Sequence, residues 1–239
     1  MNKITMNKIT TVADGVVRFF EEKKERLPSY EIVDGPRYKT IVWEGKCAPL
    51  FSFCEHPKII GLTSKRELLG SPCALSAYSV DNASLDTLLF RELVIAEMCF
   101  DSEVVKVTVF KNGPSAIVLI KLACDGTYSV ILHAASFGEK LFKHEFFNTE
   151  GMISNRAVDT VIPQQALNIY TKDGYEYVTD SHYILYGLTP DEVNEVVAIY
   201  ATLTNDDIEM RKAQAERLDK IVDVALAKSG ESVLKGRDF

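Results

Sequence analysis

The chain has 239 residues, with 27 Lys and Arg against 34 Asp and Glu, for a formal net charge of −7. Hydrophobic residues at 46% and charged residues at 26% are globular values, so a wholly disordered, collagen-like or fibrous chain is excluded. The length suits one large domain, or one domain with an appendage.

Residues 12–26 carry Val16, Phe19 and Phe20 as an apolar stripe against a Glu/Lys face, which predicts an amphipathic helix. Thr10 or Thr11 is its N-cap, and Pro28 stops it. Tyr38–Glu44 alternates as a strand, and Trp43 within it is a core or interface residue. Residues 45–57, with Pro49 and Pro57, read as irregular. Lys58–Leu62 reads as a short strand, and Ser64–Leu69 as a helical turn closed by Gly70. Cys73–Val80 is a strand. Leu85–Phe100 is a helix, with Leu85, Leu88, Leu89, Leu93, Ala96 and Phe100 at helical spacing.

Strands then follow closely. Val104–Phe110 turns at Asn112-Gly113-Pro114, and Ala116–Ala123 pairs with Thr127–Ala135 across Asp125-Gly126, a two-residue hairpin signal. Phe142–Phe147, Gly151–Ser154, Ala166–Tyr170 and Tyr175–Val178 complete an antiparallel meander with one face covered by helices and the other open. Thr189-Pro190-Asp191-Glu192 is a capping box with Pro at the first helical position, starting a helix to about Thr202. A last helix starts near Asn205 or Asp206 and stops at Ser229-Gly230. The predicted class is α+β: a large, mostly antiparallel, open-faced sheet flanked by helices.

Several functions are excluded or disfavoured. Phosphate binding needs clustered Lys and Arg, and the one such group, Lys23, Lys24 and Arg26, is cancelled by Glu21, Glu22 and Glu25, so nucleic acid is not the expected partner. The longest apolar run, Val196–Ala201, is far short of the ~20 residues that span a bilayer, so no membrane is expected. The start carries no apolar leader core; its repeat, Met1–Thr5 and Met6–Thr10, reads as an alternative start or a scar of poor order. Five cysteines without a C-x-x-C fit reduced thiols in a cytoplasmic protein. Cys54-Glu55-His56 with Cys47 has the ligand types for a metal but no second ligand pair at finger-like spacing, so no metal is expected.

No two of the thirteen glycines lie closer than Gly230 and Gly236, which leaves no G-x-G-x-x-G loop, no Walker A loop and no G-x-S-x-G elbow. No cofactor is expected, and no catalytic residue is assigned.

Four stretches nevertheless look familiar: Leu68–Tyr78; Asp86–Val107, a helix running into a long strand; Phe146–Ser154, FFNTEGMIS; and Arg217–Val233, RLDKIVDVALAKSGESV. In order and spacing, residues 65–235 resemble the C-terminal domain of the Gfo/Idh/MocA (glucose–fructose oxidoreductase/inositol dehydrogenase) family. The third stretch is similar to that family's strand–GTEG–strand hairpin, with Asn148 in place of the usual Gly. The resemblance implies three segments: an N-terminus at 1–11, a helix–strand extension at 12–64 and the family-like domain at 65–239. It also implies self-association through the open sheet face.

The departures bear on activity. Only about 64 residues precede the matched region, whereas family members place a nucleotide-binding domain first. Cys54-Glu55-His56-Pro57 only echoes the family's E-K-P segment. Counting back from Glu103-Val104-Val105, Arg91 falls at about the family's acid/base histidine and Val94 at about its second aspartate. Arginine stays protonated and is a poor proton shuttle.

Candidate ligand contacts are therefore Arg91 and Glu92, where the family binds substrate, and the polar–aromatic segment with Asp180, His182 and Tyr183. His133 and His144 read as structural. The expected function is a non-catalytic or cofactor-independent relative that binds a small sugar-like ligand or a partner subunit. The alternatives are one subunit of a split NAD(P)-dependent oxidoreductase, with a separate nucleotide-binding subunit, or an enzyme with new cofactor-independent chemistry.

Overall fold

The computed structural model describes residues 11–70, 74–124, 129–138, 140–155, 165–179 and 187–228. The chain divides into two compact units, residues 1–57 with 179–212, and residues 58–178 with 213–239.

In the first unit, helix α1 (Val12–Lys23) starts where Thr11 Oγ1 accepts the Asp14 N–H, satisfying one of the donors that a helix start leaves open. It ends at Lys24, whose left-handed backbone (φ 57) lets its N–H return to Glu21 O. Strands β1 (Tyr30–Asp34), β2 (Lys39–Trp43) and β3 (Lys46–Leu50) form a three-stranded antiparallel sheet in that order. Helix α4 (Pro190–Thr204) carries the predicted capping box: Thr189 N–H and Oγ1 both reach Glu192 Oε2 at 2.7 Å. Val16, Phe20, Ile41, Trp43, Val196 and Ile199 belong to one buried cluster, which places Trp43 in a core. Gly15 permits the close approach of α1 to α4, because a Cβ there would lie 2.8 Å from Val196.

Two expectations fail here and at the start of the second unit. Residues 45–57 are not irregular: they hold β3 and a 3-10 turn at Ser52–Glu55. Pro49 is tolerated because β3 is an outer strand, where a missing N–H leaves no ladder bond unmade. Lys58–Leu62 is not a strand but lies inside helix α2 (Pro57–Lys65). A short apolar run does not distinguish the two periods, and the helix follows from Pro57 at its first position and from burial of both Ile59 and Leu62, three residues apart.

In the second unit, strands β4 (Ala74–Val80), β5 (Val104–Asn112), β6 (Ser115–Leu122), β7 (Ser129–Ala135), β8 (Leu141–Asn148), β9 (Gly151–Ser154), β10 (Gln165–Thr171) and β11 (Gly174–Thr179) make one sheet. Their spatial order is β11-β10-β9-β8-β4-β7-β6-β5. The predicted β6–β7 hairpin pairs in register from Ser115↔Ala135 to Lys121↔Ser129, although its Asp125-Gly126 turn lies outside the described residues. The expected simple meander needs one correction: β4 inserts between β7 and β8, parallel to β7 and antiparallel to β8. That pairing joins residues more than 50 apart in sequence and leaves no local signature.

Helix α3 (Leu85–Phe100) packs across β4 to β7 and covers one sheet face. Facing it are Leu75, Ala77 and Ser79 of β4, Val118 and Ile120 of β6, Leu132 of β7 and His144 and Phe146 of β8, all buried. Phe146 meets Phe100 edge-to-face at 5.3 Å. Helix α2 is tied alongside: Arg66 Nη1, just past its end, donates to Cys99 O at 2.6 Å. Helix α5 (Ile208–Lys228) runs from the first unit in sequence into the second. Its Arg217 makes a two-pronged contact with buried Glu97 of α3, at 2.8 and 2.7 Å, while Gln214 and the Val104 N–H also donate to Glu97.

The β8–β9 turn is held by Asn148, whose Oδ1 accepts the N–H groups of Glu150 and Gly151. Gly151 itself is obligatory, since a Cβ would come within 2.0 Å of Tyr170 O.

Candidate functional site

Arg91 and Glu92 are adjacent on α3, and both enter one polar cluster under the sheet. Glu92 is 2% exposed and His144 fully buried, and His144 Nε2 lies 2.7 Å from Glu92 Oε2. The surrounding atoms fix the imidazole. Asn155 Oδ1 accepts the His144 backbone N–H at 2.7 Å, so its Nδ2 is the group facing His144 Nδ1 at 3.2 Å. Nδ2 only donates, so Nδ1 is an acceptor and the proton sits on Nε2, which donates to Glu92.

Burial pushes the Glu92 carboxyl up. The interaction with His144, then the Arg91 charge and the Ser79 hydroxyl, outweigh it and hold Glu92 below the usual carboxylate range.

Arg91 caps the cluster on its outer side. Its Nη2 donates to Ser79 Oγ, its Nη1 lies 3.8 Å from Asp81, and its guanidinium stacks over Phe142 at 5.0 Å. Arg91 Nε and Glu92 Oε1 are 3.6 Å apart and are buried without a hydrogen-bond partner. The sequence-predicted pair is therefore brought together, but with internal partners. His144 and Glu92 are almost wholly buried, while Arg91 (14%) and Asp81 (29%) reach solvent through their side chains and Phe142 is partly exposed. The arrangement can join α3, β4 and β8. For an anion to bind Arg91, it would have to displace Ser79 or Asp81.

Asp180, His182 and Tyr183 lie outside the described residues. The residues that sequence reasoning missed are Ser79, Asp81, Phe142 and Asn155. The signal for His144 was present: Phe142, His144 and Phe146 alternate on one face, a polar residue in an apolar column. Among the described residues no group of three His, Cys, Asp or Glu side chains is placed to hold a metal. No helix among them is long and apolar enough to cross a membrane.

The opposite sheet face is built differently. Cross-strand register aligns Thr108, Leu119, Ile131, Ser76, Glu145 and Ser154 in one row, and Phe110, Ile117, His133, Tyr78 and Lys143 in the next. Over β5, β6 and β7 the rows are mostly apolar, Thr108 and His133 apart, with Phe110, Ile117, Leu119 and Ile131 each 37–47% exposed. Over β4 and β8 they are polar: Tyr78 stacks on His133 at 4.7 Å, and Lys143 lies over Tyr78 and 3.1 Å from Glu145.

No protein-family model and no curated protein sequence matches this chain. Solved structures do. A putative myo-inositol dehydrogenase from Sinorhizobium meliloti is 14% identical, with a TM-score of 0.55 over 92% of this chain and 68% of that one. An oxidoreductase from Agrobacterium radiobacter, solved with NAD+, L-tartaric acid and magnesium, is 12% identical with the same coverage and TM-score. A levoglucosan dehydrogenase in complex with NADH and levoglucosan is 11% identical, at TM-score 0.54 over 76% of this chain and 63% of that one. The fold is that of Gfo/Idh/MocA-type oxidoreductases, in a C-terminal-domain-like form. At these identities the likeness is one of fold, and this chain spans about two thirds of the dehydrogenase chains it matches. In the Gfo/Idh/MocA-like sheet, α3 lies on the covered face and carries Arg91 and Glu92, while the apolar rows lie on the open one.

Proposed function

We propose that this chain is an assembly subunit, a non-catalytic relative of the oxidoreductase C-terminal domain that associates with a second copy of itself through the open sheet face. The observation that carries the reading is the apolar half of that face. Phe110, Ile117, Leu119 and Ile131 sit on three neighbouring strands, each more than a third exposed, where water contact is unfavourable and a partner surface would relieve it. The polar half beside it supplies directional contacts that fix a register. The state of Arg91 supports the non-catalytic part. It stands near the position the resemblance gives to an acid/base histidine, arginine is a poor proton shuttle, and its Nη2 donates to Ser79 while its Nη1 lies 3.8 Å from Asp81. A cytoplasmic setting belongs to the same proposal, supported by five cysteines that include no C-x-x-C pair.

Native mass decides it: a dimer or larger is expected, and Leu119→Lys with Ile131→Lys is expected to give the 26.7 kDa monomer. A monomeric wild-type chain at micromolar concentration refutes self-association.

The second reading is a subunit of a split NAD(P)-dependent oxidoreductase, or a sugar-binding module, and the fold likeness to cofactor-bound and sugar-bound dehydrogenases favours it. Thermal denaturation with NADH, NADPH and a panel of sugars and sugar acids separates the readings, because a ligand that binds only the folded state raises the Tm. No shift is expected. A shift with a nicotinamide cofactor or a sugar moves the weight to the second reading.

A further inference from the structure

Strand β5 ends the eight-stranded sheet, and among the described residues no strand pairs with its outer edge. That edge does not face open solvent along its length. Beside it runs α5, and between the two lies a groove of about 600 Å³ lined by Val105–Val109 on one side and by Lys220, Ile221, Val224, Ala225 and Lys228 on the other. Three features of the groove converge. Its floor is apolar, and Val105 and Val224 are more than half exposed on it. Its strand side offers the unpaired N–H and C=O groups of an edge strand, a template for another strand. Its rim holds Lys106, Lys220 and Lys228, all exposed, and among the described residues no carboxylate lines it, in a chain whose net charge is −7.

The charge pattern selects the occupant. Lys106 stands directly opposite Lys121 in the β5–β6 register, so the edge already carries two like charges side by side. Pairing with the same edge of a second copy would bring lysines of the two copies together, and like charges of this kind protect edge strands from self-pairing. The same lysines attract carboxylates. The bulge between Val104 and Lys106 turns Val105 outward, which adds to the apolar floor.

We propose that this groove binds an extended segment of a different protein, with apolar and acidic residues alternating, which adds to β5 as a ninth strand. Its apolar side chains would lie against Val105, Ile221 and Val224, and its carboxylates beside Lys106, with Lys220 and Lys228 flanking. Strand addition supplies main-chain hydrogen bonds, and the alternation supplies specificity. This site runs along the β5 edge; of its three lysines only Lys106 borders the open face assigned to self-association, and Lys220 and Lys228 lie on α5, so the two proposals are tested separately.

The probe is a labelled octapeptide alternating valine and glutamate, with its valine–lysine counterpart as control. Fluorescence anisotropy should show saturable binding of the glutamate peptide only, weakening as salt is added. Amide hydrogen exchange should slow at residues 105–109. The triple variant Lys106→Glu, Lys220→Glu, Lys228→Glu should bind at least about tenfold more weakly while keeping the wild-type Tm, since all three side chains are at the surface. Three results overturn the proposal. One is equal binding of both peptides or of neither. Another is protection of residues 105–109 in the free chain that disappears when residues 229–239 are deleted, which would assign the groove to the chain's own tail. The third is protection that grows with protein concentration alone, which would assign it to a second copy.

Discussion

The two faces of the eight-stranded sheet come from the same strands and alternate residue by residue, yet they treat polarity in opposite ways. On the face under α3, the charged and polar groups (Glu92, His144, Asn155, Ser79) are almost dry and partner one another. On the open face, Lys143, Glu145, Tyr78 and His133 meet one another near the surface, while Phe110, Ile117, Leu119 and Ile131 neighbour one another across the strands and stay more than a third exposed. A buried polar group needs its partner supplied internally, because nothing else can replace lost water. An exposed apolar group can wait for another molecule. The covered face therefore serves stability, and the open one is available for association.

The contrast can be broken in order of expected effect. Phe146→Ala removes a fully buried ring from the covered face and should cost about 3–5 kcal/mol, read from urea denaturation. A loss below about 1 kcal/mol would mean the covered face is not a tightly packed core. Glu92→Ala should cost about 3 kcal/mol, because it strands Arg91 and the His144 Nε2–H in a dry site. Glu92→Gln should cost less, since its amide oxygen still accepts that proton.

The pH dependence of that pair sharpens the test. Glu92 is held below its ordinary pKa in the folded chain, so the unfolded chain takes up a proton first as pH falls. Its contribution is thus complete above the unfolded value, about 4.3, and is lost as pH falls toward the lower folded one. The stability gap between the wild type and Glu92→Gln should narrow below about pH 4. A gap that stays constant from pH 7 to pH 3 would show that the carboxylate charge contributes nothing.

The smallest effect on stability belongs to the open face. Leu119→Lys should change the unfolding free energy of the isolated chain by no more than about 0.5 kcal/mol, while lowering the native mass. If the same substitution unfolds the chain, Leu119 is a core residue and the division between the faces is wrong.

Much of this was legible in order along the chain. The helical spacing from Leu85 to Phe100, the Thr189–Glu192 capping box and the Asn148–Gly151 turn each depend on residues within four positions of one another, and each appears where expected. The alternation of β6, which buries Ala116, Val118 and Ile120 and exposes Ile117 and Leu119, was not legible in that all-apolar run and appears only in the fold. Arg91 and Glu92 were singled out as a pair. Their engagement with Ser79, Asp81 and His144 was hidden, because those contacts span up to 52 residues. The KIIGL run misled, since five apolar-rich residues fit either period until Ile59 and Leu62 find their neighbours.

The sequence by itself determined the class of the fold: the number of long helices, the hairpins and the existence of an open face follow from periodicities of 3.6 and 2 and from local caps and turns. Only the tertiary structure decided that β4 lies between β7 and β8, that β5 is left as an edge beside α5, and that Glu92 is occupied by His144. These depend on contacts between residues far apart in the chain. Such contacts form because burial and hydrogen-bond satisfaction are optimised over the whole molecule, and no short stretch of sequence encodes them.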